Sequence, residues 1–393
     1  MARRSRHAVA AVLAASLMTT ACAAAEEGAS TSEDEIPIGV SIELSGPAQV
    51  QGEAYQNALR LEAERINAEG VKVGDKTYKI NLIIRDNKSD PTESLQVVKS
   101  MIDNDKVAAI VGGGSSPTTM SVVDTVESRG VPLVSMGSSN AIVSPIDKRQ
   151  FVFKTPANTG LIVDTMIEEF QRQNIKKVAL LSVDNAYGQA GVGAFDAAAK
   201  AGRLELVAKE KFTDKDKDFT VQVTKLIAAK PDAIVVWAIP PGSTIAAKNI
   251  KTSGFAGKVF FDAGAGAELF IKGAGAESEG MFMVHPKILA GAQIPGYTPA
   301  EKVQREFFDE YTAKYGNFSG FAPYAADALR LIVAAIEKAG STDRKAIRDA
   351  METLAYDGVT GRYEFSTENH GGVIKDSLAL LVVRDGVWVP AGS

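Results

Sequence analysis

The sequence contains few of the residue types on which many catalytic and metal-binding sites depend. Only one of its 393 residues is cysteine, Cys22, so no disulfide can form within the chain. Three residues are histidine, His7, His285 and His370, and they lack the close spacing of a metal-binding pair. No GxSxG motif and no nucleophile–base pair stands out. These absences argue against a disulfide scaffold, a metal centre and an enzyme, and no cofactor is expected.

Charge and composition exclude nucleic acid as a partner. The chain has 43 Lys and Arg residues against 48 Asp and Glu residues, a net charge of −5, with no basic stripe. Binding to phosphates depends on clustered basic side chains, which this sequence does not offer. A content of 45% hydrophobic and 23% charged residues is typical of a soluble globular protein. The length of the chain predicts two domains.

An export signal is predicted at the N-terminus. Three arginines precede a short apolar run, 8–18, which small residues link to Cys22. The run is far shorter than the roughly 20 apolar residues that span a bilayer. Such a cysteine is typical of a lipobox, where residues 1–21 are removed and Cys22 is lipidated, but Thr19 stands where lipoboxes usually carry leucine. The protein would then be anchored on the outer face of the cell membrane, with 22–35 as a flexible tether. Plain secretion is the alternative.

Buried strands alternate with helical patterns through most of the chain. This alternation predicts an α/β fold of doubly wound parallel sheets. In the first half, strands are predicted at 36–44, 78–86, 107–111 and 131–135, and helices at 51–68, 94–104 and 118–129. A second series begins near Thr155, and the segments 107–135 and 232–261 share one strand–loop–helix–strand layout. This internal duplication predicts two similar lobes with a ligand cleft between them.

The loop at 112–119 is the strongest candidate binding element within the fold. Three glycines allow the backbone to approach a ligand, and serine and threonine hydroxyls follow them. A helix is predicted directly behind the loop, and a helix N-terminus attracts anions. No lysine follows at the spacing of a phosphate loop, so the expected anion is a carboxylate. A plain tight turn is the alternative.

Two further segments are expected to reach the same cleft. Residues 135–140 end the next strand, which places them beside the glycine-rich loop at one sheet edge. Residues 184–188 end the first strand of the second lobe and carry Tyr187. Tyr187 would therefore project into the cleft as a ligand contact, or else pack on the surface as an ordinary aromatic.

These segments in this order resemble the periplasmic leucine/isoleucine/valine-binding protein family, the type I solute-binding proteins of ABC importers. The resemblance runs from about Ile36 to Val383. The segments that carry it are 38–67 with its SGP loop, 83–102, 107–116, 130–135, 184–191 and 321–336. It implies two lobes joined by three crossover strands, which close on a ligand by hinge motion. The lobes would be 36–155 with 286–357, and 156–285 with 358–393.

The resemblance also implies roles for individual residues. Ser116 and Ser139 would hold the ligand carboxylate, and Ser115 and Gly137 would line the same wall. Tyr187 would cover the ligand from the other lobe. The remaining implied contacts are Gln51, which stands where relatives often have an aromatic side chain, and either Phe318 or Phe321 at the pocket floor.

One departure from the family pattern concerns the ligand ammonium. Amino-acid binders pair it with an acidic residue in the loop after a strand of the second lobe, and Gly264 occupies that position here. A buried ammonium without a partner would cost several kcal/mol. Either Asp262 or Glu268 supplies the acid through a register shift, or the ligand has no α-amino group. The second possibility is slightly favoured.

The sequence thus predicts a monomeric, lipid-anchored solute-binding protein that delivers a small carboxylate to an ABC permease. The ligand would be a branched-chain or other hydrophobic amino acid, or alternatively a non-amino organic or aromatic acid. A ligand-sensing module without transport is the other alternative, but nothing in the chain resembles a signalling domain. The test for an enzyme would be turnover of a bound ligand.

Overall fold

A computed structural model describes residues 34–392, apart from the side chain of Glu268. Two sheets, of six and seven strands, form its framework, and helices cover them. The predicted α/β class with mainly parallel sheets is confirmed. Cys22 and the export signal lie outside the described residues. Within 34–392, no helix is both long and apolar enough to cross a membrane.

The first sheet is formed by the N-terminal part of the chain, in the strand order β2-β3-β1-β4-β5-β6. All neighbours are parallel except β2 and β3, which form an antiparallel pair. Its strands are β1 Glu35–Ile42, β2 Val71–Val73, β3 Lys76–Asp86, β4 Ala109–Gly112, β5 Leu133–Ser135 and β6 Val152–Lys154. Its helices are α1 Gln49–Glu69, α2 Pro91–Asp103, α3 Ser116–Met120 and α4 Val123–Arg129. Strands β1, β4 and β5 are almost entirely buried, and the apolar run of β4 is typical of a parallel strand covered on both faces.

The second sheet has the order β15-β14-β11-β10-β9-β7-β8. Its strands are β7 Lys177–Val183, β8 Glu205–Phe212, β9 Ala233–Trp237, β10 Lys258–Phe261, β11 Phe282–Pro286, β14 Leu378–Arg384 and β15 Val387–Pro390. Its helices are α5 Thr159–Arg172, α6 Ala186–Lys200, α7 Thr220–Ala228, α8 Gly242–Thr252 and α9 Glu268–Ala274. The C-terminal strands β14 and β15 are antiparallel, and the others are parallel.

Three later helices return to the first sheet: α10 Pro299–Tyr315, α11 Ala322–Ala339 and α12 Arg344–Met351. A short hairpin follows them, made of β12 Ala355–Asp357 and β13 Arg362–Glu364. Helix α11 packs against α1, where Arg330 donates to both carboxylate oxygens of Glu62 at 2.7 and 2.8 Å. The chain therefore passes between the two halves after β6, after β11 and after α12.

The single helix predicted at 118–129 is wrong. The structure has two short helices there, α3 and α4, which meet at Ser121 and Val122. Hydroxyl groups explain the break, because they bond to the backbone in competition with a regular helix. The Thr119 hydroxyl donates to Gly113 O and Ser115 O, both at 2.9 Å. The duplicated segments 107–135 and 232–261 both form parallel β-α-β units.

Candidate ligand-binding site

A cavity of about 280 Å³ lies between the two sheets. The first sheet contributes the loops after β1, β4 and β5, and the second contributes the loops after β7, β8, β9 and β10. All of these loops follow the carboxyl ends of parallel strands, where α/β proteins bind their ligands. The structure therefore brings the predicted segments 112–119, 135–140 and 184–188 to one place.

The first wall of the cavity is polar and built by serine and glycine residues. Ser115, Ser116 and Gly137 line it, as does the buried Gln51 from α1. Ser139 does not line this cavity; its N–H donates to Ser116 Oγ at 3.1 Å, so it orients Ser116 from behind. Because Ser116 Oγ accepts this bond, its own proton remains available to donate to an anion.

Helix α3 contributes less to this wall than the sequence predicted. The helix has five residues, so its dipole is short, and the donors of the wall act as individual groups. Ser115 caps it, with its Oγ 3.4 Å from the N–H of Thr118. Two acceptors share the N–H of Gly137 and hold this residue in place: Gly113 O and Ser135 Oγ.

The second wall contains an acidic residue and a tyrosine in contact. Tyr187 lies at the start of α6, where Asn185 Oδ1 accepts from its N–H at 2.9 Å. Its hydroxyl donates to Asp262 Oδ2. Asp262 is fully buried and also accepts from the N–H groups of Ala238, at 3.2 Å, and Gly264, at 3.1 Å. Both Tyr187 and Asp262 line the cavity.

Gly264 has no room for an acidic side chain. A Cβ at this position would collide with the Tyr187 hydroxyl and lie 3.0 Å from Ala238 O. Asp262, two residues earlier in the same loop, is therefore the buried carboxyl group of this wall. The more exposed Asp214 and Asp216 also line the cavity, from the loop after β8. Burial raises the pKa of Asp262 to about 8, against the opposing effect of its backbone hydrogen bonds. The second acidic candidate, Glu268, begins α9, and its side chain lies outside the described part of the structure.

The rest of the cavity is largely apolar and aromatic. Tyr55 and Phe321 form an edge-to-face pair with ring centroids 6.1 Å apart, and Tyr324 lies beside them. Of the two phenylalanines predicted at the floor, Phe321 lines the cavity. Phe318 instead packs in an aromatic cluster against α10. Such surroundings favour a ligand with an apolar side chain.

A buried lysine lies behind the first wall, where the chain leaves the first sheet. Lys154 is fully buried, and its Nζ donates to Ser138 O at 3.0 Å and Ala157 O at 3.1 Å. Ser138 and Pro156 both line the cavity. Burial lowers the pKa of Lys154 to about 7. The amine therefore connects the wall to the first crossing segment.

Several residues that line the cavity were not predicted from the sequence. Tyr55 follows Gln51 by one helical turn on α1, and this spacing alone could have placed both on one face. Tyr324 stands one turn after Phe321 in the same way. The exposed loop after β8, with Thr213 and its neighbours, also borders the cavity, but nothing in its charged sequence distinguishes it from an ordinary surface loop.

Comparison with known proteins agrees with this architecture. A profile of the periplasmic binding protein family matches residues 35–386. The Leu/Ile/Val-binding protein homolog 3 of Brucella melitensis biotype 1 is 25% identical over 343 residues, covering 87% of this chain and 89% of that protein. A leucine-, isoleucine-, valine-, threonine- and alanine-binding protein of Pseudomonas aeruginosa is 24% identical, covering 86% of this chain and 87% of that protein.

A solved structure extends the likeness to three dimensions. The branched-chain amino acid transporter substrate binding protein LivJ of Streptococcus pneumoniae, in complex with isoleucine, superposes with a TM-score of 0.77. It is 26% identical, with 90% of this chain and 97% of that chain covered. The chain belongs to the periplasmic binding protein family and has its type I two-lobe fold. It is thus a solute-binding protein of the ABC-importer class that acts outside the cytoplasm, and the prediction that it is not an enzyme is confirmed.

Proposed function

We propose that this protein captures a small amino acid with an apolar side chain in the cavity between its lobes and delivers it to an ABC permease. The position of Asp262 carries this proposal. The first wall offers the hydroxyl and N–H of Ser116 to a carboxylate, and Ser115 lines the wall beside it. Asp262 lies on the second wall and can pair with an ammonium there, while Tyr55 and Phe321 bound the apolar space. An α-amino acid has all three of these features.

A specific observation favours a second candidate, a carboxylic acid without the amino group. Asp262 already accepts from Tyr187, Ala238 and Gly264, so its oxygens have partners without a ligand. With its pKa raised to about 8, this side chain is largely protonated near neutral pH and would not attract a cation until it ionised. An ammonium ligand must therefore displace a proton, whereas a plain carboxylic acid need not.

Calorimetric titration of residues 36–393 separates the two candidates. The probes are leucine, isoleucine and valine, their deaminated acids, and benzoate, in buffers of different ionisation enthalpy. Leucine binding is expected to release a proton near neutral pH, because the ammonium favours ionised Asp262. Asp262→Asn should weaken leucine at least tenfold but leave the deaminated acid nearly unchanged. The matched control is Asp232→Asn. The carboxylate of Asp232 accepts from the N–H groups of Lys176 and Lys177, away from the cavity.

Each of the three possible results has a definite meaning. Tight binding of leucine that Asp262→Asn abolishes would establish the amino-acid ligand. Binding of the deaminated acids or benzoate alone would replace it with the second candidate. The absence of binding by every probe would contradict both candidates.

We also propose that Cys22 carries a lipid anchor and that the two lobes, 36–155 with 286–357 and 156–285 with 358–393, close as rigid bodies about the three crossings. The signal and tether composition at 1–35 supports the anchor. Cys22→Ser should then release the protein from membranes, and retention would exclude lipidation. A monomer is expected, because each chain holds both walls of the cavity.

A further inference from the structure

Glu43 is a fully buried carboxyl group directly behind the first wall. It follows the end of β1, at the carboxyl edge of the sheet. Its Oε1 accepts from Ser115 N–H at 3.0 Å and from the Thr118 hydroxyl at 2.6 Å. Both donors belong to the loop and first turn that present Ser115 and Ser116 to the cavity. Glu43 itself does not line the cavity.

The second oxygen of Glu43 faces a gap that only glycine leaves open. Oε2 is buried without a hydrogen-bond partner among the described residues. A Cβ on Gly114 would collide with this oxygen and lie within 3.0 Å of the Tyr55 ring. Tyr55 closes the same space, and its hydroxyl donates to Gly114 O at 3.2 Å. The third glycine of the loop is therefore required by a carboxyl group behind it.

The surroundings of Glu43 disfavour a negative charge. No cationic side chain of the described residues pairs with it, and an isolated buried carboxylate is costly. The groups that face it from neighbouring elements are Tyr55 on α1, Asn87 after β3 and the Ser115–Thr118 turn, of which Tyr55 alone titrates. Asp86, which accepts from the N–H of Leu44, the next residue, supplies no positive charge to Glu43. Burial raises the pKa of Glu43.

We propose that Glu43 is a positioning residue for the ligand carboxylate: it holds Ser115 and Thr118 in place as a neutral carboxylic acid. This inference rests on the proposed function of the first wall. A neutral acid orders the loop through Oε1 and adds no negative charge behind the site. An ionised Glu43 would repel an incoming carboxylate across a single layer of backbone at Gly114. Loss of this proton would therefore weaken the binding of a carboxylate to the wall.

Two variants distinguish the ordering of the loop by Glu43 from the effect of a charge on Glu43. Glu43→Gln keeps an acceptor and carries no charge, whereas Glu43→Met fills the same space without an acceptor. Hydrogen exchange of the Ser115 amide measures how well the loop is ordered, and this measurement needs no ligand. The amide should stay protected in Glu43→Gln and exchange at least tenfold faster in Glu43→Met. Leucine and 4-methylpentanoate, which share a carboxylate, are the binding probes; whichever binds the parent should bind Glu43→Gln with similar Kd and Glu43→Met at least tenfold more weakly.

A third readout is the pH dependence of unfolding. A carboxyl whose folded pKa is raised stabilises the fold at low pH and loses that contribution as the pH rises through the folded value. The parent should therefore lose stability relative to Glu43→Gln as the pH rises above the ordinary glutamate range. Glu127→Gln and Glu127→Met are controls for the exchange and binding readouts, because Glu127 accepts from Phe151 N–H at 2.8 Å outside the cavity. Burial raises the pKa of Glu127 as well, so these variants are not controls for the pH dependence.

The outcomes are distinct. Unchanged Ser115 exchange in Glu43→Met would overturn the positioning role. A Glu43→Gln variant as defective as Glu43→Met, or a stability difference that does not vary with pH, would overturn the neutral state. If neither probe binds the parent while exchange and stability follow the expected pattern, the proposed ligand class fails and the role of Glu43 in the wall stands.

Discussion

At the residue scale, Lys154 combines burial with a position at the first crossing between the sheets, and no carboxylate within residues 34–392 pairs with it. Its Nζ is held by two carbonyl oxygens, from Ser138 and Ala157. Burial lowers its pKa to about 7, so the folded protein binds fewer protons than the unfolded chain between about pH 7 and the ordinary lysine value. Stability contributed by this residue should therefore increase as the pH rises through that window and be lost below it.

Substitution of Lys154 by methionine should remove this pH dependence. Urea unfolding at about pH 6 and about pH 9 should show the parent gaining up to a few kcal/mol relative to Lys154→Met at the higher pH. Lys99→Met, on the exposed side of α2, is the control. Parallel pH profiles for the parent and Lys154→Met would show that the amine titrates as in the unfolded chain.

The positions of site residues could be predicted from the sequence only where the ends of strands could be predicted. Segments 112–119 and 135–140 were predicted because they follow buried strands whose carboxyl ends share one edge, and the family resemblance implied Ser115, Ser116 and Gly137 within them. Asp262 and Gly264 could not be told apart, because a short 3-10 turn over 263–265 decides which of them points inward. Glu43 gave no signal, since its burial depends on the pairing of β1 with β4.

At the element scale, the docking of α11 on α1 depends on a buried ion pair. Glu62 is 2% exposed in its side chain and Arg330 is 12% exposed, and the pair is bidentate. Breaking a buried pair from one side leaves an uncompensated charge and typically costs about 3–5 kcal/mol. Arg330→Met should therefore lower the free energy of unfolding by at most about this amount, as measured by urea denaturation, because Arg65 still lies beside Glu62.

The double variant provides the control for that prediction. Glu62→Met with Arg330→Met removes both charges and should recover much of the loss, because an apolar pair of similar size avoids the desolvation cost. Arg65 lies 3.4 Å from Glu62 and would still face it in the single variant. A double variant no more stable than Arg330→Met would show that the helices need the pair for packing and not for charge balance.

Elements were predicted well where apolar runs were long and poorly where hydroxyl groups intervened. The alternation of strands and helices gave the correct fold class, because buried parallel strands are apolar along their whole length. The break between α3 and α4 was missed, because side-chain bonds from Thr118 and Thr119 to the backbone do not alter apolar periodicity.

At the scale of the whole molecule, the two walls lie on separate sheets, which three crossings within residues 34–392 connect. A ligand that contacts both walls should favour a closed arrangement, because it binds that arrangement more tightly. Small-angle X-ray scattering should show a decrease in the radius of gyration when leucine, or whichever probe binds, is added.

Tyr187→Ala should weaken this response. Loss of the second-wall contact is expected to raise the Kd at least tenfold, so that compaction needs a correspondingly higher ligand concentration. The double variant with Ser116→Ala and Ser139→Ala, which alters the first wall, should likewise raise the Kd and weaken the compaction. Scattering curves that do not change at saturating ligand would contradict hinge closure.

The separation of the Asp262 wall from the Ser115–Ser116 wall has a consequence for affinity. Each wall offers a few polar contacts, which alone would retain a small solute only weakly. The crossings hold the second wall close to a solute already bound to the first, at an effective concentration that free halves in solution could not reach. Affinity is then a chelate effect, to which the length and stiffness of the crossings contribute together with the contacts themselves.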